Sequence, residues 1–238
     1  GIDIMLAIDV STSMLAEDLK PNRLEAAKDV AAEFINGRPN DNIGITLFAG
    51  ETFTQCPLTV DHAVLLDMIH NIKCGLITDG TAVGMGIANA VTRLKDSKAK
   101  SKVIILLTDG TNNKGDISPM TAAEIAKSFG IRVYTIGVGT NGMAPYPYPV
   151  GNTVQYVSMP VEIDEKTLTE IAGTTDGNYF RATSNSKLKE VYEEIDKLEK
   201  TKLNVKEYSK RDEEYHWFAL AAFLCVLLEV LLLSLIHI

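Results

Sequence analysis

Cysteine and tryptophan are scarce in this chain of 238 residues, which has three cysteines and one tryptophan. The cysteines, at positions 56, 74 and 225, form no C-x-x-C pair, so the spacing typical of zinc knuckles and thioredoxin-type sites is absent. Two alternatives stay open for Cys56 and Cys74: a disulfide in an oxidising compartment, or two small buried side chains. Cysteine chemistry therefore does not define the class of this protein.

Positive charge and the common catalytic motifs are also lacking. The chain has 23 Lys and Arg against 31 Asp and Glu, a net charge of −8, which argues against a nucleic-acid partner because such proteins carry a basic patch. No G-x-x-x-x-G-K-[ST] motif occurs, so a P-loop ATPase is excluded. None of the four histidines has a Ser or Cys partner in a recognisable motif, and a triad hydrolase is unsupported.

Strand-like and helix-like segments alternate through residue 201. The run KVIILLTDG, for example, is continuous and apolar as a central parallel strand should be, and apolar residues recur at helical spacing between such runs. This alternation predicts an α/β fold: a doubly wound, mostly parallel six-stranded sheet with helices on both faces. The predicted strands cover 2–10, 43–50, 52–56, 102–110, 131–139 and 178–181, and the predicted helices 22–36, 61–71, 83–95, 119–129, 164–172 and 187–200.

One connection is long for this class of fold. Residues 140–162, after the fifth predicted strand, contain several Pro and Tyr residues and a Gly151-Asn152 turn signal. They predict a small hairpin or an ordered flap. Because the segment leaves the carboxyl end of a strand, we expect it to flank a binding site.

Oxygen-bearing side chains cluster at the predicted carboxyl ends of strands. Asp9, Ser11 and Ser13 follow the first strand, Thr81 stands in the loop ITDGTAVG, and Asp109 follows the fourth strand. Oxygen ligands without nitrogen or sulfur select a hard cation, with Mg²⁺ first and Mn²⁺ or Ca²⁺ as alternatives. Two carboxylates and three hydroxyls leave a coordination position open, so the predicted ion can accept a carboxylate from a partner protein.

The C-terminal run WFALAAFLCVLLEVLLLSLI, residues 217–236, is interrupted by a single charge, Glu229. About twenty residues at 1.5 Å each span about 30 Å, the thickness of a bilayer core. We therefore predict a transmembrane helix at 215–238, preceded by a juxtamembrane linker at 202–214. The chain begins on a strand pattern without an initiator Met, which we interpret as a fragment of a longer protein.

The pattern D-x-S-x-S at residues 9–13, T-A-x-G at 81–84 and T-D-G at 108–110 resembles the metal-ion-dependent adhesion site (MIDAS) of von Willebrand factor type A (VWA) domains. The likeness runs over residues 1–201, with 140–162 as an insertion. It implies that the five oxygen-bearing residues hold the ion directly or through water, and that a partner's Asp or Glu completes the coordination shell.

Longer stretches, among them LAIDVSTSMLAEDLKPNRLEAAK, FTQCPLT and YFRAT, resemble the membrane-anchored Bat family of aerotolerance operons, and its BatA type in particular. This resemblance implies an envelope complex with other Bat-type membrane proteins and a MoxR-type ATPase. It also implies an inner-membrane location, with the VWA domain on the periplasmic side, and further membrane segments upstream.

Two other functions stay as alternatives to a non-enzymatic binding domain. A phosphotransfer enzyme of the haloacid dehalogenase type needs a second Asp two residues after the first, and Ser11 stands at that position. The other alternative is a structural membrane module with a vestigial metal site. Near the candidate ligands, Asp79, Asn112 and Asn113 are predicted as turn residues.

Overall fold

The computed structural model describes residues 1–151 and 153–209, together with residues 220, 222 and 223. Its centre is a six-stranded sheet in the order β3-β2-β1-β4-β5-β8, parallel except for the β2–β3 pair. The predicted six-stranded, mostly parallel sheet is thus confirmed. Its strands are β1 (Asp3–Asp9), β2 (Asn42–Phe48), β3 (Thr52–Thr59), β4 (Lys102–Thr108), β5 (Ile131–Val138) and β8 (Tyr179–Ala182).

Strand order reverses between β1 and β4. The chain proceeds from β1 outward to β2 and β3, whereas from β4 it proceeds outward in the other direction to β5 and β8. Doubly wound sheets bind ligands in the crevice at such a reversal, beyond the carboxyl ends of the strands. The register pairs Ile8 with Leu107, so Asp9 and Asp109 leave adjacent strands at this crevice.

Helices cover both faces of the sheet. Met5 and Ala7 of β1 pack in one core cluster with residues of α3, α4 and α5, and alternate residues of a strand face opposite sides. On the other face, the Phe34 ring of α1 lies 5.0 Å from the Tyr192 ring of α6. The helices are α1 (Arg23–Asn36), α2 (His62–His70), α3 (Val83–Leu94), α4 (Pro119–Ser128), α5 (Glu165–Thr174) and α6 (Asn185–Ser209).

The long connection forms a hairpin, as its turn signal predicts. Strands β6 (Met143–Val150) and β7 (Thr153–Pro160) pair antiparallel as a separate two-stranded ribbon. Val161 N–H donates to Gly142 O at 2.8 Å and closes the ribbon at its base. Ala144 is buried there, whereas every residue of β7 is exposed.

The chain divides into two compact units, Gly1–Glu199 and Lys200–Ile238. Helix α6 is longer than the predicted 187–200 and continues to Ser209, into the segment predicted as a linker. Within residues 1–209, apart from residue 152, no helix is both long and apolar enough to cross a bilayer. The predicted transmembrane helix at 215–238 lies outside the described residues, except for three positions.

Candidate metal site

Four of the five predicted ligands are joined by hydrogen bonds at the carboxyl ends of β1 and β4. Ser11 N–H donates to Asp9 Oδ1 at 2.9 Å, which folds the chain back over the acid as soon as β1 ends. The Ser11 and Ser13 hydroxyls are 2.9 Å apart, and the Ser13 hydroxyl donates to Asp109 Oδ1 at 2.7 Å. A 3-10 helix at Thr12–Leu15 follows β1 directly, and in this turn the Ser11 and Ser13 hydroxyls lie beside the acid that follows the neighbouring strand.

The fifth predicted ligand, Thr81, reaches the same place from the loop before α3. A Cβ atom added to Gly110 would lie 3.3 Å from Thr81 Oγ1, so Thr81 packs directly on the residue that follows Asp109. Asn113 fixes this arrangement, because Thr81 N–H donates to Asn113 Oδ1 and Asn113 N–H donates to Thr81 O, both at 2.9 Å. Asn113, predicted only as a turn residue, therefore positions Thr81.

The two acids are buried and close enough to perturb each other. Asp9 has no exposed surface and Asp109 is 3% exposed. Burial, together with the charge of Asp109, raises the pKa of Asp9 to about 7, although the hydrogen bonds from Ser11 and Thr108 oppose this effect. Burial also raises the pKa of Asp109, against the opposing charge of Arg23. In both acids, burial disfavours the charged carboxylate by more than the surrounding donors stabilise it.

An arginine without a predicted role completes the cluster. Arg23, at the first position of α1, donates from Nη1 to Asp109 Oδ2 at 2.6 Å and binds Asp18 with Nε and Nη2, both at 2.7 Å. All three side chains are almost fully buried. Burial alone would raise the pKa of Asp18, but the bonds from Arg23 and Thr140 outweigh it and lower that pKa. Sequence analysis missed Arg23 because an Arg in the first turn of a helix is ordinarily solvated.

The cluster also holds the start of the hairpin segment. Thr140 N–H donates to Asp18 Oδ2 at 2.8 Å. Gly139, at the end of β5, has φ +142°, and a Cβ atom there would lie 2.8 Å from Arg23 Nη2. A side chain at position 139 would therefore strain the backbone and displace the arginine. Arg23 thus links the loop that holds Asp18 to the end of β4, and Asp18 in turn links that loop to the segment after β5.

Asp79 has a supporting role in the loop, in agreement with its prediction as a turn residue. Its carboxylate accepts from Thr12 N–H at 3.0 Å and from the Thr12 hydroxyl at 2.8 Å. Burial would raise its pKa, but these bonds lower it. Asp79 thereby holds the residue between Ser11 and Ser13.

The two described cysteines are free thiols. Cys74 lies beside the same loop and its thiol donates to Ser11 O at 3.3 Å, whereas Cys56 is buried.

The donor set fits a hard divalent cation. Among the described residues, no group of three or more His, Cys, Asp and Glu side chains could hold a metal, so a site of the zinc-finger or carboxylate-cage type is absent from that part of the chain. Asp9 and Asp109 instead meet three neutral hydroxyls, an all-oxygen set of the kind that Mg²⁺ accepts. Asp9, Asp18 and Asp109 outnumber Arg23, and a bound cation would offset the excess charge.

Comparison with protein families places these residues in context. The profile of the von Willebrand factor type A domain matches residues 3–194. An uncharacterised protein of Borreliella burgdorferi is 29% identical over 98% of this chain and 69% of its own length. A UPF0353 protein of Mycolicibacterium paratuberculosis is 32% identical over 79% of this chain, which spans 58% of that relative.

Solved structures give a consistent result. BatB from Bacteroides thetaiotaomicron is 34% identical, with a TM-score of 0.73 over 84% of this chain and 100% of its own. An aerotolerance-related membrane protein from Bacteroides fragilis is also 34% identical, with a TM-score of 0.71 over 83% of this chain and 100% of its own. Proximal thread matrix protein 1 from mussel byssus, described with a zinc-occupied MIDAS motif, is 25% identical, with a TM-score of 0.64 over 83% of this chain and 45% of its own.

Proposed function

Since the chain belongs to the von Willebrand factor type A domain family and is similar to its Bat-type members, we propose that it is a non-enzymatic binding protein. In this proposal Asp9, Ser11, Ser13, Thr81 and Asp109 hold one divalent cation. A bound cation supplies an electrophile that accepts a carboxylate oxygen from an Asp or Glu of a partner protein.

The observation that carries the proposal is the meeting of two buried acids with neutral hydroxyls at the β1–β4 crevice. The Ser13 hydroxyl donates its proton to Asp109 and keeps oxygen lone pairs for a cation. Ser13 is exposed, whereas Asp9, Ser11, Thr81 and Asp109 are buried. A partner's carboxylate would therefore approach from the side of Ser13.

The oxygen-only donor set favours Mg²⁺, with Mn²⁺ or Ca²⁺ as alternatives. The mussel byssus protein, whose MIDAS is described as zinc-occupied, supports a divalent cation at this kind of site. The five proposed ligands supply one oxygen fewer than the six that Mg²⁺ prefers, which leaves a coordination position for the carboxylate of an external acid.

We also propose a membrane setting. The apolar segment at 215–238 would anchor the chain in the inner membrane, with the VWA domain on the periplasmic side, as the Bat resemblance implies. The description of the similar Bacteroides fragilis protein as a membrane protein supports this location. Other Bat-type proteins and a MoxR-type ATPase are the partners that the resemblance suggests.

The first test is calorimetric titration of Mg²⁺ and Mn²⁺ into residues 1–209, which contain the compact unit Gly1–Glu199 and all of α6. We expect binding that weakens by more than about 100-fold in Asp9→Asn and Asp109→Asn, since even the loss of an outer-shell group costs 10–100-fold. The exposed acid Asp67 provides the matched control, and Asp67→Asn should bind like the wild type.

Repeating the titration with millimolar acetate or an acidic peptide tests the capture of a carboxylate, because the external acid should tighten cation binding. A pull-down by the full chain, with and without EDTA and beside Asp9→Asn, then tests whether protein capture needs the ion. A folded wild-type domain that binds no cation even with acetate present would identify the site as vestigial.

A further inference from the structure

Strand β6 has an edge that cannot donate backbone hydrogen bonds. Proline occupies positions 145, 147 and 149, and a proline has no N–H. In an antiparallel pair, alternate residues exchange two backbone hydrogen bonds, and a pair that contains proline cannot be one of them. The backbone N and C=O groups of the three prolines therefore point away from β7. Glu17 N–H donates to Pro145 O at 2.8 Å, so this outer edge of β6 is turned toward the residues that follow β1.

The outer edge of strand β7, in contrast, can donate backbone hydrogen bonds. The residues paired with the three prolines are Val154, Tyr156 and Ser158, and their N–H and C=O groups must likewise point away from the partner strand. Within the described part of the chain, these three N–H groups donate no backbone hydrogen bond outside the β6–β7 ladder. The outer edge of β7 thus presents three donors and three acceptors in a row, on a strand whose residues are all exposed.

The hairpin is also uncharged. Residues 143–160 contain no Asp, Glu, Lys or Arg, in a chain whose net charge is −8. Val154 is 58% exposed, Tyr156 61%, Val157 47% and Met159 47%. Proteins ordinarily protect an exposed edge strand with charge, proline or a covering segment. Here proline protects β6, whereas β7 has no such protection before Pro160 at its end.

We infer that the open edge of β7 binds the same edge of a second copy of this chain. Two β7 strands related by a two-fold axis through Tyr156 would pair antiparallel, with Val154 of each copy opposite Ser158 of the other. About six backbone hydrogen bonds result, because each of the three outward residues donates one and accepts one. The product is a four-stranded ribbon.

A second copy is an occupant whose edge has the same row of donors and acceptors and the same lack of charge. Two molecules that each carry a net charge of −8 repel one another, and an uncharged segment is where they can meet with least repulsion. The pairing also matches each strand to itself, since an isologous contact uses the same residues on both copies. One short strand per copy buries less surface than a standard interface, so we expect a concentration-dependent dimer rather than a permanent one.

Disulfide trapping tests the inferred register in the full chain, with EDTA present so that the metal site plays no part. Cys74 and Cys225 are replaced by serine, whereas Cys56 is buried and stays. Tyr156→Cys should form a disulfide-linked dimer under mild oxidation, because directly opposed residues have Cα atoms about 5.5 Å apart, within disulfide range. Val154→Cys alone and Ser158→Cys alone should not, whereas a mixture of the two should cross-link.

A second variant tests whether the pairing needs the outward N–H groups of β7. Ser158→Pro, introduced into the Tyr156→Cys chain, removes one outward N–H and leaves the bonds within the hairpin intact, so cross-linking should fall at least about tenfold. Ser158→Ala, which keeps the N–H, is the matched control and should cross-link like the parent.

Equal trapping of all single cysteine variants would show random collision and overturn the inference. No Tyr156→Cys dimer at any protein concentration would overturn it as well, and would leave the edge to a strand of a different protein. Neither result bears on cation binding, so this proposal fails or stands separately from the metal site.

Discussion

At the scale of single residues, Arg23 determines how the candidate site is organised. Its guanidinium contacts both Asp18 and Asp109, so part of the charge that a cation would neutralise is already offset by the protein. The planar group binds Asp18 with two parallel hydrogen bonds, a geometry that lysine cannot reproduce. Arg23 therefore holds Asp18 and Asp109 in fixed positions relative to each other.

Replacing Arg23 by methionine should lower the free energy of unfolding by about 3 kcal/mol or more, because two buried acids lose their partner. Mg²⁺ should restore part of this loss, since a bound cation replaces the missing charge. Urea denaturation of residues 1–209 in EDTA and in Mg²⁺ measures both effects. Mg²⁺ should stabilise Arg23→Met more than the wild type, and an equal or smaller effect would contradict this account.

At the scale of secondary-structure elements, two helical glycines differ in what they contact. Gly84 lies in the first turn of α3, where a Cβ atom would come within 2.1 Å of Ile117 O in the segment before α4. Gly173 in α5 has no atom within 4 Å of the corresponding position. The close approach of the backbones at Gly84 brings α3 and its preceding loop, which carries Thr81, against the loop after β4.

Gly84→Ala should therefore destabilise the fold by about 2 kcal/mol or more, because the added methyl group meets backbone that must shift. Gly173→Ala should be neutral or stabilising by up to about 1 kcal/mol, since alanine is the better helix former. Thermal denaturation followed by circular dichroism compares the two. Similar melting temperatures for both variants would show that the contact at Gly84 is unimportant.

Local signals made most elements predictable. Continuous apolar runs marked β1 and β4, and Asn22 and Ser118 cap α1 and α4 as their sequence positions indicate, through bonds to Glu25 N–H and Thr121 N–H. The end of α6 was not predictable in this way, since its last turns are rich in charged residues and lack a stop signal.

Some residues of the candidate site could likewise be predicted from local sequence, and others could not. Asp9, Ser11 and Ser13 could be grouped because they stand within five residues at the end of one strand, and parallel strand ends bring Asp109 to them. Arg23, Asp18 and Asn113 could not, because their roles depend on contacts between segments far apart in sequence. The packing role of Gly84 likewise depends on Ile117, and nothing in the local sequence indicates that contact.

At the scale of the whole compact unit, a buried acid fastens α6 to the sheet. Glu199 is 1% exposed and accepts from the Tyr134 hydroxyl at 2.6 Å and from the Ser101 hydroxyl at 2.8 Å. It also forms an ion pair with Arg132. Burial would raise the pKa of Glu199, but these partners outweigh it and lower the pKa below its usual range.

A depressed pKa stabilises the folded state above the pKa of the unfolded chain, and this contribution is lost as the pH falls through the folded value. Wild-type stability should therefore drop below about pH 4.5 more steeply than that of Glu199→Gln. At neutral pH the variant should be less stable by about 2 kcal/mol, because hydrogen bonds to a charged acceptor are lost. Urea denaturation across pH 3–7 measures both, with the exposed acid in Glu170→Gln as control. Parallel pH profiles would contradict the prediction.

The prolines of β6 have a consequence for how far assembly can proceed. Each ribbon has one edge that can accept a neighbour and one that cannot, so joining two copies uses both open edges. The outer margins of the resulting four-stranded ribbon are then proline-bearing strands, which offer no row of donors to a third chain. Growth by edge pairing ends at two molecules, and an uncharged, exposed strand is kept from seeding a fibre.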